Sequence, residues 1–138
     1  MSAVGKIVDV LRADAPLLDL LPGGIHQAEI SRQTTPQAFD AYSEVRPCAH
    51  VRAEIITPTG PHKRSARLFV LAWFYQQAGY DYISKARARV FELLHKQRFT
   101  AQDEAIYEIS HADDLLEAED PGLNVSMERS RYQVMIQR

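Results

Sequence analysis

The run Leu68–Tyr75, reading LFVLAWFY, leaves few folds open to this chain. Side chains alternate across a strand, so Phe69, Leu71, Trp73 and Tyr75 fill one face while Leu68, Val70, Ala72 and Phe74 fill the other. A strand apolar on both sides is covered on both sides, which puts it at the centre of a sheet. Pro58-Thr59-Gly60-Pro61 is turn chemistry just ahead of it, extended by the basic tip His62-Lys63-Arg64. Before the turn, residues 49–57 alternate, with Val51, Ala53 and Ile55 on one side and Arg52 and Glu54 on the other. The pattern predicts a hairpin that delivers the central strand.

Around this hairpin the reading is helical first. Ser2 caps a helix whose apolar positions are Val4, Ile7, Val8 and Leu11. Asp14 caps a second, short helix of Leu17, Leu18, Leu20 and Leu21 after a kink at Ala13–Pro16, and Pro22-Gly23-Gly24 ends it. Ile25–Ile30 reads as a strand. Residues 31–46 are polar and without period, a loop long enough to be functional or mobile. Phe39 and Tyr42 within it either tuck onto the core or wait for a partner. Past the central strand, Gly79 breaks the chain and Asp81 caps the principal helix, Tyr82–Lys96. Its buried stripe is Ile83, Ala86, Val90, Phe91 and Leu94, with Lys85, Arg87, Arg89 and Lys96 largely outside. Tyr107 and Ile109 mark a further strand, Glu117–Gly122 an acidic turn, and Val125–Gln137 a closing strand with Tyr132, Val134 and Ile136 inward. The expected architecture is α+β, a single domain over residues 1–138. Its antiparallel or mixed sheet has about four or five strands, with the helix pair and the long helix on one face. The other face is covered either by the long loop or by another subunit.

At 138 residues, 46% hydrophobic and 25% charged, the chain suffices for one core and is too short for two. A net charge of −2 argues against a protein whose main work is neutralising nucleic-acid phosphates. The charges at Lys6, Asp9 and Arg12 interrupt any signal-peptide pattern, and no apolar run is long enough to span a membrane. A soluble, cytoplasmic product is expected. Charge is segregated along the chain. Residues 62–98 carry eight Lys or Arg against Asp81 and Glu92, whereas residues 99–128 carry nine Asp or Glu and no Lys or Arg. Such blocks either present complementary faces to other copies or are two solvated faces.

Searching for chemistry yields little. His26 with Glu29, and His111 with Asp113 and Asp114, lack the spacing of zinc ligands. Cys48 and His50 share a strand face, but no orienting third group or glycine-rich oxyanion loop accompanies them. The acidic cluster lacks the alternating ligands and central glycine of a calcium loop. Lys63, Arg64 and Arg67 lie beside Phe69 and Trp73, yet those rings belong to the core strand, whereas nucleic-acid stacking needs exposed rings. No catalytic residue, cofactor or metal is expected. The reading is a non-enzymatic protein that assembles with others.

The opening IVDVLRADAPLLDLLPGGIHQAEI resembles that of the tail-completion proteins of long-tailed bacteriophages, grouped with the lambda-like tail terminators. In that family a run like LLDLLPGGI precedes a strand and then a proline-introduced strand, here Arg46-Pro47-Cys48-Ala49-His50-Val51. The strand ARLFVLAWFY, the helix GYDYISKARARVFELLH and two closing strands complete the order. The resemblance implies an α+β fold and a ring, usually a hexamer. That ring caps the tail tube, stops its growth and presents a surface to the head connector, with DNA passing through it. Partners would be further copies, the tail tube protein and the head–tail connector protein, and the location the virion tail at its junction with the head. A closely related head–tail joining role is left open. The alternative is a small non-catalytic α+β binding module or accessory subunit, dimeric through its sheet. Contacts with neighbours are expected from the hairpin tip Thr59–Arg64, with Thr59, His62, Lys63 and Arg64, and from the loop Gln33–Arg46, with Phe39 and Tyr42. Arg89, Asp113 and Asp114 represent the two charge blocks at such contacts.

Overall fold

A computed structural model describes residues 3–58, 65–100 and 105–137 of the chain. Helix α1 (Ala3–Arg12) buries Ala3, Ile7, Val8 and Leu11, one stripe at helical spacing. The chain turns at Ala13 and Asp14, and α2 (Ala15–Leu20) begins with the Asp14 carboxylate accepting the amide of Leu17 at 3.0 Å. The Arg12 guanidinium donates to the carbonyl of Ile25 at 2.9 and 2.6 Å, tying the end of α1 to the strand that follows. The expected Ser2 cap lies outside the described residues.

Six strands form one mixed sheet in the order β1-β2-β3-β6-β5-β4. They are β1 (Ile25–His26), β2 (Cys48–Pro58), β3 (Ser65–Gln76), β4 (Phe99–Thr100), β5 (Ala105–Asp120) and β6 (Val125–Gln137). Only β1 is parallel to its neighbour, and the remaining pairs are antiparallel. Two of the strands are two-residue pieces, which is why the sheet exceeds the expected strand count. Ile25–Ile30 pairs only through Ile25 and His26, because residues 27–29 leave the sheet. As its sequence requires, β3 is central: it pairs with β2 on one side and along its whole length with β6 on the other.

Helices α1, α2 and α3 (Asp81–Leu94) cover one face of the sheet. Beneath them Ala66, Leu68, Val70, Ala72 and Phe74 of β3 pack with Ala49 and Val51 of β2 and with Tyr132, Val134 and Ile136 of β6. The start of α3 is held by β3 itself. The Gln76 side-chain oxygen accepts the amides of Tyr82 and Ile83 at 3.1 and 3.3 Å, and its amide nitrogen donates to Asp81. Asp81 is therefore the first helical residue and Gln76 supplies the cap expected of it. Phe91, expected in the buried stripe, is 40% exposed and stacks on His95 with ring centroids 4.5 Å apart.

The acidic segment expected to turn at Glu117–Gly122 runs instead as strand to Asp120, and the turn occupies 121–124. Cross-strand partners on β6 hold this segment extended, overriding the turn-forming tendency of its Asp and Glu residues. Three register shifts interrupt the β5–β6 ladder, at Ile106/Glu108, His111/Asp113 and Leu115/Ala118, and Glu117 takes a left-handed φ of 48° at the last. No described helix is long and apolar enough to cross a membrane.

Candidate functional site

The second face of the sheet divides into a covered end and an open field. At the covered end the loop of residues 27–47 folds back, through a short 3-10 turn at Pro36–Ala38 and a bridge between Phe39 and Val45. Ile30, Ala38 and Val45 from this loop bury Cys48 and Tyr75, with Val125 completing the cluster. Part of the cover left undecided by the sequence is thus supplied by the chain itself. Gly23 lets the chain approach: an added Cβ there would stand 2.8 Å from Cys48 Cβ and 2.9 Å from the Pro47 carbonyl. Cys48 is wholly buried, and loss of hydration pushes its thiol up to about 12. The thiolate required of a nucleophile is thereby suppressed. His50 faces Trp73 across the pair, with ring centroids 5.6 Å apart. Burial first, and the charge of Arg52 second, hold its pKa below the ordinary histidine value.

Beyond Trp73 the face becomes a field of arginines laid over half-buried rings. Alternation places Arg67, Phe69, Leu71 and Trp73 of β3 beside Arg129, Arg131, Gln133 and Met135 of β6 and Arg52 of β2. The Arg52 guanidinium lies 4.6 Å from the Trp73 ring centre, and those of Arg131 and Arg67 lie 4.9 and 5.8 Å from Phe69. Asp113 accepts from Arg129 at 2.8 Å and also pairs with Arg131. Arg52 and Arg67 have no carboxylate partner among the described residues. The buried Nε groups of Arg67, Arg129 and Arg131 have no hydrogen-bond partner among them.

On the helical face, where α3 crosses β5 and β6, polar groups gather beside a cleft of about 440 Å³. Glu128 is 2% exposed, and its carboxylate accepts from Arg87 and Ser84 at 3.1 Å and from the Glu117 amide at 3.2 Å. Asp114 accepts from Arg87 at 3.0 Å, from Ser130 at 2.8 Å, and meets His111 Nε2 at 2.8 Å. Burial would raise the Asp114 pKa, but the hydrogen bonds of His111 and Ser130 and the charges of His111 and Arg87 prevail and lower it. The carboxylate therefore stands between the hydroxyl and the imidazole. Ser130 gives its proton to Asp114, so this cluster does not pair a nucleophile with a histidine base. It ties the bulged part of β5 to α3. Among the described residues no three metal-ligating side chains gather.

The residues expected at contacts are scattered. Thr59, His62, Lys63 and Arg64 lie outside the described residues. Phe39 is half-buried beneath the Arg32 guanidinium, 4.9 Å from its ring centre, whereas Tyr42 is 86% exposed. Arg89 grips both oxygens of Asp14 at 2.9 and 2.7 Å and also pairs with Glu92. Arg87, Arg89, Asp113 and Asp114 are thus committed within the molecule, and Arg87 and Arg89 are half-buried rather than outside the helix. Missed were Arg52, Arg129 and Arg131. For Arg129 and Arg131 the signal lay in the unread half of the β6 alternation, Met127, Arg129, Arg131, Gln133 and Met135, whereas Arg52 reads only as the polar side of the strand before the hairpin.

No family model matches the chain, and no curated protein matches it. Among solved structures it is similar to a chain in the virion of a native gene transfer agent particle, with a TM-score of 0.77 over 100% of both chains at 12% identity. At that identity the likeness is one of fold.

Proposed function

We propose that this chain is a structural, non-enzymatic subunit of a phage-like virion, forming a ring that ends the tail tube and joins it to the head connector. The observation that carries this reading is the shared fold, end to end, with a chain of a gene transfer agent virion. The tail-terminator resemblance of the sequence supplies the finer role. The partners are further copies in a ring, of order six by that resemblance alone, the tail tube protein and the head–tail connector protein. DNA passes through the ring without being read by it. Pairing of two copies through sheet edges is disfavoured, because both long outer strands are bulged: β2 between Ala53 and Ile56, β5 at three places. In a producing cell that lacks the chain, tail tubes should lose their fixed length and fail to join heads. Tails of normal length attached to heads in its absence would overturn the role.

A further inference from the structure

The proposed ring needs two different surfaces on each copy that fit one another. The arginine field supplies one. Arg52 and Arg67 are cations without a carboxylate partner among the described residues, lying over Trp73 and Phe69. The outer part of β5 carries the complementary set. Leu116 is 51% exposed at the last bulge, and the carboxylates of Glu117 and Glu119 meet no cation among the described residues. The rest of the acidic block at this level, Asp113 and Asp114, is already neutralised by Arg129, Arg131 and Arg87. Internal pairing leaves over Arg52 and Arg67 on one surface and Glu117 and Glu119 with exposed Leu116 on another.

We infer that the bulged β5 segment of one copy, with Leu116, Glu117 and Glu119, docks on the arginine and aromatic field of the next copy. Leu116 covers the exposed parts of Phe69 and Trp73, and the carboxylates accept from the guanidinium groups of Arg52 and Arg67. Charge complementarity selects the register, and apolar burial holds it. The bulge has a use in this contact: it stops the segment from pairing as a sheet edge and turns its side chains outward. The inference rests on the ring reading for its head-to-tail order, though not for the contact itself.

Disulfide trapping tests it. One copy carries Leu116→Cys and the other Gln133→Cys, which lies opposite Phe69 on the arginine face. Native Cys48 is buried and takes no part. With oxidised glutathione as oxidant, the mixture should give a heterodimer at least about five-fold above a control mixture of Leu116→Cys with Lys85→Cys on exposed α3. The yield should fall in about 1 M salt, where the screening length is about 3 Å. Circular dichroism of each variant confirms that it is folded. Equal yields with the two partners would overturn the contact. If Leu116→Cys and Gln133→Cys in one chain trap a species that stops at the dimer, the contact stands and the ring reading falls. Rings seen by electron microscopy without any selective trapping would have the opposite meaning.

Discussion

Glu128 is the residue whose environment is hardest to replace. Its carboxylate is buried under α3, and the guanidinium of Arg87 is the one cation it meets among the described residues. Removing one partner of a buried pair leaves a charge with neither water nor counter-ion. Arg87→Ala should therefore cost about 3–5 kcal/mol in urea unfolding, and a loss below about 1 kcal/mol would show that the Glu128 carboxylate reaches water. His50 sets a different, pH-linked term. Its native pKa lies below 6.5, so between that value and the lowered one the unfolded chain binds a proton that the native chain refuses. Stability should fall as the pH drops through this window, then receive no further contribution from His50 once both states are protonated. His50→Gln should flatten this part of the stability profile between about pH 7 and 5. An unchanged slope would assign it to another group.

At the scale of elements, Pro22-Gly23-Gly24 does more than end α2. Gly23 donates its amide to Pro47 at 2.8 Å, and Ala49 donates to Gly24 at 3.0 Å, so the turn lies against the start of β2. Gly23→Ala should destabilise by about 1–3 kcal/mol in thermal or urea unfolding, because a Cβ there meets backbone as well as Cys48. A neutral effect would mean that β2 shifts without cost. The sequence made β3 legible through its double apolar face and β6 through Tyr132, Val134 and Ile136, since alternation is a local property. The length of β5 was not legible. Asp113, Asp114, Glu117 and Glu119 are read locally as turn-formers, and the groups that keep two of them in a strand, Arg87, Arg129 and Arg131, are distant in sequence. The buried Glu128 was hidden for the same reason. So was the Asp14 partner of Arg89, which lies 75 positions away in the sequence.

On the scale of the whole molecule, one face is closed by helices, the other only at the end where residues 27–47 fold over. That asymmetry separates the candidate contact surface from the polar cluster beside α3: one carries Arg52 and Arg67 over half-buried rings with no carboxylate partner among the described residues, while the other is internally matched. The strand with which the sequence began has a consequence for the tempo of the molecule. Both edges of β3 are zipped, and one of its partners, β6, is zipped on both edges in turn. An amide in the middle of β3 can meet deuterium only when the entire chain opens, so its exchange should report global unfolding. The outer amides at 115–120, at the bulged margin of β5, should exchange orders of magnitude sooner through local opening. Equal protection along the two strands would deny that division. With unequal protection the molecule keeps time with two clocks, a slow one in its spine and a fast one at its bulged margin.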